Sequence, residues 1–234
     1  SQQLAITGAR LDVEATIPHL GRHQALNAGV AIAVADQVTD VDGETVARGL
    51  RKSEWPGRFE LMARDPMVLL DGAHNPDASR QLGSVLSDLE YEHLYLVFGA
   101  MHDKDQQAMI EALPRPDHVF TCHPDTKRAE DEQVLAKGFN AAGVDAVTAV
   151  GSVLESVDRA IDRAESGDLV VVAGSLYTVS EARQRWSRTV ISTDARLAAE
   201  AEGRAPIAEL DQAWLPSDPD TRRHVTLRTR LPRA

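Results

Sequence analysis

Between Phe59 and Trp186 short apolar runs and helix-length windows alternate five times, and few architectures accept that order. The runs are residues 67–70, 94–98, 118–122, 146–150 and 169–173, and the windows after them are 77–89, 105–113, 131–142, 153–165 and 178–186. Each window is long enough for the crossover that joins parallel strands. A run such as Leu169-Val170-Val171-Val172-Ala173 has no polar face, so it predicts a strand covered by helices on both sides. The expected fold is a doubly wound α/β domain of about 130 residues built on a mostly parallel sheet.

Upstream the pattern differs. Arg10-Leu11-Asp12-Val13-Glu14 alternates with period two and predicts two short strands, 4–6 and 11–17, at a sheet edge. A helix rich in Ala and Val is expected over 23–37, and a shorter one over 44–51 after the turn signal Asp42-Gly43. In Ser53-Glu54-Trp55-Pro56-Gly57-Arg58 both periodicities stop, which places a domain junction there. After Trp186 the alternation ends: 193–202 reads as helical, 211–219 has no apolar face to bury, and 189–234 is expected to be a linker or the start of a further domain. The chain has no internal repeat.

Composition narrows the function classes. With 234 residues, 43% hydrophobic and 4% aromatic, the chain can bury a core of Ala, Val, Leu and Ile without staples. No stretch reaches the ~18–20 apolar residues of a membrane span, and the start carries no export-type signal, so a cytoplasmic location is expected. The single cysteine, Cys122, excludes an internal disulfide and a cysteine-based zinc site, in keeping with a reducing compartment. A net charge of −11 argues against non-specific nucleic-acid binding. Only Lys52, Lys104, Lys127 and Lys137 are lysines, which reads either as coding bias or as an acidic surface suited to high salt.

In an open parallel sheet ligands gather at the carboxyl ends of the strands, so three junctions bear the chemistry. In Asp71-Gly72-Ala73-His74-Asn75-Pro76, Asn75 suits a helix cap, Pro76 the first turn and Gly72 a tight bend. Asp71 and His74 then supply a carboxylate and an imidazole over the sheet edge, or else satisfy loop amides and pack as ordinary polar side chains; on spacing alone both readings stand. At Gly99-Ala100-Met101-His102-Asp103-Lys104-Asp105, Lys104 is either a point charge for a carboxylate or phosphate or part of a solvated first helical turn. At Gly174-Ser175-Leu176-Tyr177, Ser175 is either a ligand contact or a helix cap. No G-x-x-x-x-G-K-[ST] loop, G-x-G-x-x-G fingerprint or H-E-x-x-H helix is present, so phosphate binding would need help from elsewhere and no histidine-based metal site is expected.

Taken in order, Leu20-Gly21-Arg22-His23-Gln24-Ala25-Leu26-Asn27-Ala28, Trp55-Pro56-Gly57-Arg58-Phe59-Glu60, Asp71 to Pro76, Phe98-Gly99 with Asp103-Lys104-Asp105, Arg128-Ala129 and Gly174-Ser175-Leu176-Tyr177 resemble the folylpolyglutamate synthase and dihydrofolate synthase family of Mur-type ligases. The resemblance runs from about residue 1 to about 188. It implies that 1–53 is the tail of a central ATPase domain, that 54–188 is the C-terminal Rossmann-like ligase domain, and that the phosphate loop, the Mg2+ ligands and most of the folate pocket lie upstream. The implied reaction is ATP-dependent addition of L-glutamate to a reduced folate or dihydropteroate carboxylate through an acyl phosphate.

By carry-over, Asn27 with His23 and Gln24 faces the adenine of ATP, Arg58 and Asp71 reach ribose and phosphates, and His74 lies near the reacting phosphate or incoming glutamate. Ser175, Tyr177 and Lys104 fall on the amino-acid side. His102, Cys122 and His123 receive no role. The resemblance also allows a fused dihydropteroate synthase domain beyond the tail, as in archaeal bifunctional enzymes. Two other readings are a non-catalytic Rossmann-like binding module and a cell-wall Mur ligase.

Overall fold

The computed structural model describes residues 1–7, 12–187 and 226–230; the helix expected over 193–202 and the polar stretch 211–219 lie outside them. The chain builds two sheets. β1 (Gln2–Thr7) and β2 (Asp12–Ile17) pair antiparallel, and their inward residues Leu4, Ile6 and Ile17 meet Ala25, Ala28 and Ile32 of α1 (Arg22–Val38). α2 (Gly43–Arg51) follows, its first turn held by the Thr45 amide donating to Asp42 at 2.7 Å. The side of α1 away from the sheet is apolar too. Leu26, Val30, Val34 and Val38, spaced four apart, are 49%, 65%, 60% and 77% exposed.

The second sheet begins with β3 (Glu60–Arg64), antiparallel to β4 (Met67–Leu70). The chain then runs through α3 (Pro76–Leu86), β5 (Leu94–Phe98), α4 (Gln106–Glu111), β6 (His118–Cys122), α5 (Glu132–Ala141), β7 (Val147–Gly151), α6 (Val153–Arg163), β8 (Leu169–Ala173) and α7 (Leu176–Ser187). The strand order is β3-β4-β8-β5-β6-β7, all parallel except β3. β3 was not expected: its polarity is mixed and a register irregularity between Leu61 and Ala63 breaks the alternation that marks a strand.

Within the parallel strands successive residues serve opposite cores. Leu69, Leu94, Leu96, Phe98 and Val171 pack with Leu82 and Leu86 of α3, Met109 of α4 and Phe139 of α5. Val68, Leu70, Val97, Val170 and Val172 pack with Val153 and Val157 of α6 and Val179 and Ala182 of α7. Helices therefore cover both faces, as the apolar runs predicted. Each buried aliphatic side chain contributes about 1.5–3 kcal/mol, so removing polar positions from the strands is what makes this doubly covered sheet affordable. Cys122 belongs to the second core, and burial pushes its thiol up to about 12, which makes it an inert hydrophobe.

Side chains set the helix starts. Asn75, Asp105, Asp131 and Ser152 each accept an amide hydrogen from the first turn of α3, α4, α5 and α6. The switch in helix side sets the site. α3 leaves β4 toward one face and α7 leaves the adjacent β8 toward the other, which opens a crevice at the carboxyl ends of these strands.

At the opposite end of the sheet, Asp168 is 3% exposed and accepts hydrogens from the backbone amides of His93 and Glu165 and from His93 Nδ1 at 3.0 Å. Hydrogen bonding to Asp168 raises the His93 pKa, while burial of Asp168 is outweighed by these bonds and its pKa falls. The raised His93 contributes stability that is full below about 6.5 and is lost as pH rises through its folded value. The depressed Asp168 contributes stability present above about 3.8 and lost as pH falls through its folded value. Thermal unfolding of His93→Ala should accordingly lose the decline in wild-type melting temperature between pH 6 and 8.5 that this pair supplies. An unchanged slope would remove the pair from the stability account.

β9 (Thr226–Arg230) lies in the segment expected to be a linker or further domain, yet it pairs antiparallel with β1. β1 is therefore central in the order β2-β1-β9 rather than at a sheet edge, because the third strand returns from more than 200 residues away.

Candidate active site

The segment from Ser53 to Phe59 crosses between the two sheets and turns back on itself at Gly57-Arg58-Phe59. Gly57 has φ 70° and Phe59 φ 49°, a left-handed conformation that a residue with a Cβ takes only when its surroundings hold it. Carboxylates hold it on both sides of Arg58. The Gly57 amide donates to Glu60 Oε2 at 2.8 Å, and the Phe59 amide donates to Asp71 Oδ2 at 2.9 Å. Glu60 in turn accepts from Arg183 Nε of α7 at 3.0 and 3.1 Å, which ties the turn to the far helix.

The loop after β4 completes the arrangement. Asp71 Oδ1 accepts the Ala73 amide at 2.9 Å, so both oxygens of this carboxylate already serve backbone amides. Burial raises the Asp71 pKa against the pull of those amides, Arg58 and His74. His74 Nδ1 lies 2.9 Å from the Gly72 carbonyl, which can only accept, so Nδ1 carries the hydrogen and a neutral ring presents Nε2 as an acceptor. Gly72 is required for space: a Cβ there would fall 2.3 Å from both Arg58 Nη1 and Leu176 Cδ2.

From the other side α1 contributes His23, Gln24 and Asn27. Burial, reinforced by the charge of Arg58, lowers the His23 pKa. Asn27 Nδ2 donates to Gln24 Oε1 at 3.2 Å, an amide pair with one donor group and one carbonyl still to offer. Arg58 donates to the Gly57 carbonyl at 3.3 Å and lies 5.9 Å from the centre of the Trp55 ring.

These residues line one cleft of about 190 Å³ between α1, the crossing segment, the loop after β4 and α3. His23, Gln24, Asn27, Arg58, Asp71 and His74, separated by up to 51 positions, are thus brought together. The cleft is smaller than the ~300–1,000 Å³ of a complete small-molecule site. The other three nominated residues lie apart from it. Ser175 is 2% exposed; its Oγ accepts the Thr178 amide at 3.0 Å and shares a hydrogen with Thr178 Oγ1 at 2.8 Å, so it caps α7. Tyr177 is 53% exposed on the next turn, with Leu176 between them reaching Gly72. Lys104 lies 3.6 Å from Asp103, which also accepts two 2.9 Å bonds from Arg128.

The contacts of Glu60 and Trp55 emerge only from the structure, although both stand in the motif around Arg58. The i to i+3 spacing of Gly57 and Glu60 was the one local signal for the first. For a divalent cation the cleft offers a single carboxylate, already bonded twice, and does not fit as a metal centre. Among the described residues, Glu92, His93 and Asp168 do approach one another closely enough to share a cation, but at the opposite end of the sheet and with Asp168 already accepting three hydrogen bonds.

The model of the Mur ligase, glutamate ligase domain matches residues 57–176, and the chain belongs to that family. Within it, the chain is 52% identical over 191 residues to a probable bifunctional folylpolyglutamate synthase/dihydropteroate synthase of Halobacterium salinarum, a match that covers 82% of this chain and 23% of that protein. Mycobacterium tuberculosis folylpolyglutamate synthase complexed with ADP and AMPPCP superposes with a TM-score of 0.70 at 28% identity, over 80% of this chain and 47% of that one. A bifunctional folylpolyglutamate synthase/dihydrofolate synthase with Mn, AMPPNP and L-glutamate bound gives 0.64 at 28% identity, over 75% and 41%. The chain spans about a quarter of the archaeal relative and less than half of either solved enzyme.

Proposed function

We propose that this chain is the glutamate ligase domain, with the end of the preceding ATPase domain, of an ATP-dependent enzyme that joins L-glutamate to the carboxylate of a reduced folate or dihydropteroate. The observation that carries the reading is the convergence of His23, Gln24, Asn27, Arg58, Asp71 and His74 on one cleft beside the strand ends. In this reaction a carboxylate oxygen attacks the γ-phosphorus of ATP and ADP leaves. The glutamate nitrogen then attacks the acyl carbon, phosphate leaves, and the nitrogen gives up its proton.

In this reading Asn27 and Gln24 meet the adenine and Arg58 takes phosphate oxygens, for which a permanently charged fork of donors is suited. His74 Nε2 lies on the side of the reacting phosphate and the incoming amine. Tyr177 and Lys104 line the amino-acid approach, with Ser175 fixing the start of α7 beneath them. Mg2+ would reach the phosphates through ligands upstream, since the cleft does not fit one. An acyl phosphate must be kept from water, and closure of the two sheet units over the cleft would do so while aligning the amine.

The exposed apolar stripe of α1 supports a larger assembly around this chain, because contiguous apolar faces of that kind are normally covered. The archaeal relative supports a dihydropteroate synthase on the same polypeptide. Among the described residues no helix is long and apolar enough to cross a membrane.

The test is glutamate-dependent ADP release by the full-length gene product, with dihydropteroate and tetrahydrofolate as separate acceptors and the amide product detected by mass. Amide formation with either establishes the ligase and its acceptor. Turnover only with a nucleotide-linked muramyl peptide would move the enzyme to cell-wall synthesis, and no amide with any acceptor would leave a binding module.

A further inference from the structure

Trp55 is the one large aromatic side chain lining the cleft that packs into neither core. It is 48% exposed on the segment joining the two sheets, where burial would be the default for an indole. Its surroundings hold it at the cleft rim. The His19 ring meets it edge-on at 6.5 Å and 87°, and the Arg58 guanidinium lies 5.9 Å from the ring centre. His19 is itself anchored: the Ser53 hydroxyl donates to the Leu50 carbonyl at 2.7 Å, so His19 Nε2–H must donate to Ser53 Oγ at 3.0 Å. These contacts flank the indole while leaving nearly half of it exposed at the cleft.

The same cleft holds the Gln24–Asn27 amide pair, whose remaining carbonyl and NH2 match the donor and acceptor pattern along the edge of an adenine. Hydrogen bonds along a base edge leave its faces apolar and wet, and an aromatic ring covering one face supplies the missing contact. We infer that Trp55 is the stacking platform for the nucleobase, positioned so that Arg58, lying against the same indole, reaches the phosphates of the same nucleotide. The inference rests on the nucleotide reading above and adds to it a specificity-determining residue.

Stacking predicts a loss confined to ligands that carry a base. Calorimetric titration of the full-length gene product with ADP and with tripolyphosphate separates the two contributions. Trp55→Ala should weaken ADP binding at least about tenfold and leave tripolyphosphate within about twofold, while Trp55→Phe, which keeps an aromatic face, should stay within a few-fold of wild type. Equal ADP affinity in wild type and Trp55→Ala would overturn the platform and leave the nucleotide reading intact. Parallel loss of ADP and tripolyphosphate binding would overturn it in favour of a purely structural role. Wild-type protein that binds no ADP would bring down the nucleotide reading itself, and the platform with it.

Discussion

Replacing Asp71 with alanine in the full-length gene product is expected to lower glutamate-dependent ADP release by about 100-fold or more and to lower the melting temperature as well. The activity loss follows from geometry. Asp71 accepts the amide of Phe59, whose left-handed backbone sets the position of Arg58, and the amide of Ala73, which shapes the loop bearing His74. Without the carboxylate two amides lose their acceptors, at about 1–3 kcal/mol each if they stay buried, and the strained turn is free to relax. Asp71→Asn keeps one acceptor oxygen and should fall between the two in stability.

The pH dependence has a sign opposite to that of an ordinary ion-paired carboxylate. Burial raises the Asp71 pKa, so its contribution is greatest below about 3.8 and declines as pH rises through the folded value. The stability of wild type relative to Asp71→Asn should therefore fall over that interval. Normal turnover in Asp71→Ala would remove this residue from the active arrangement, and an unchanged melting temperature would remove its hold on the turn.

Gly72→Ala should separate binding from folding. The added methyl meets the tips of Arg58 and Leu176 at 2.3 Å, and both are flexible side chains that can move aside, so the fold should survive with a melting temperature close to wild type. Arg58 is then displaced from the cleft. Charge-assisted hydrogen bonds contribute about 1.5–3 kcal/mol, so ADP affinity should fall by roughly 10- to 100-fold. If that loss acts through Arg58, the double variant Gly72→Ala/Arg58→Ala should bind ADP no worse than Arg58→Ala alone. Additive losses in calorimetric titrations would mean that Gly72 serves another purpose.

Much of this molecule could be read before its structure was known, where one local rule governed the outcome. The runs 67–70, 94–98, 118–122 and 169–173 became β4, β5, β6 and β8 with the expected bounds, because a strand buried on both faces cannot carry polar residues. Helix starts followed capping chemistry, although α7 begins two residues ahead of the expected 178 because the Ser175 hydroxyl accepts the Thr178 amide and starts the helix there. The six cleft residues were nominated from ordered motifs, each of which alone fitted a bland role. Lys104, Ser175 and Tyr177 carried similar local signals and lie outside this cleft, and spacing alone does not separate a cap or a solvated charge from a ligand contact.

The sequence by itself determined the doubly wound sheet and the helices on its two faces. These follow from polarity and capping within a few residues. Only the tertiary structure decided that β9 closes on β1, that Glu60 and Asp71 grip the turn around Arg58 from opposite sides, and that Gly72 is small so that Arg58 can pass. Each of these depends on atoms from distant segments occupying the same few ångströms, a condition set by how the two sheets pack and not written in any local pattern.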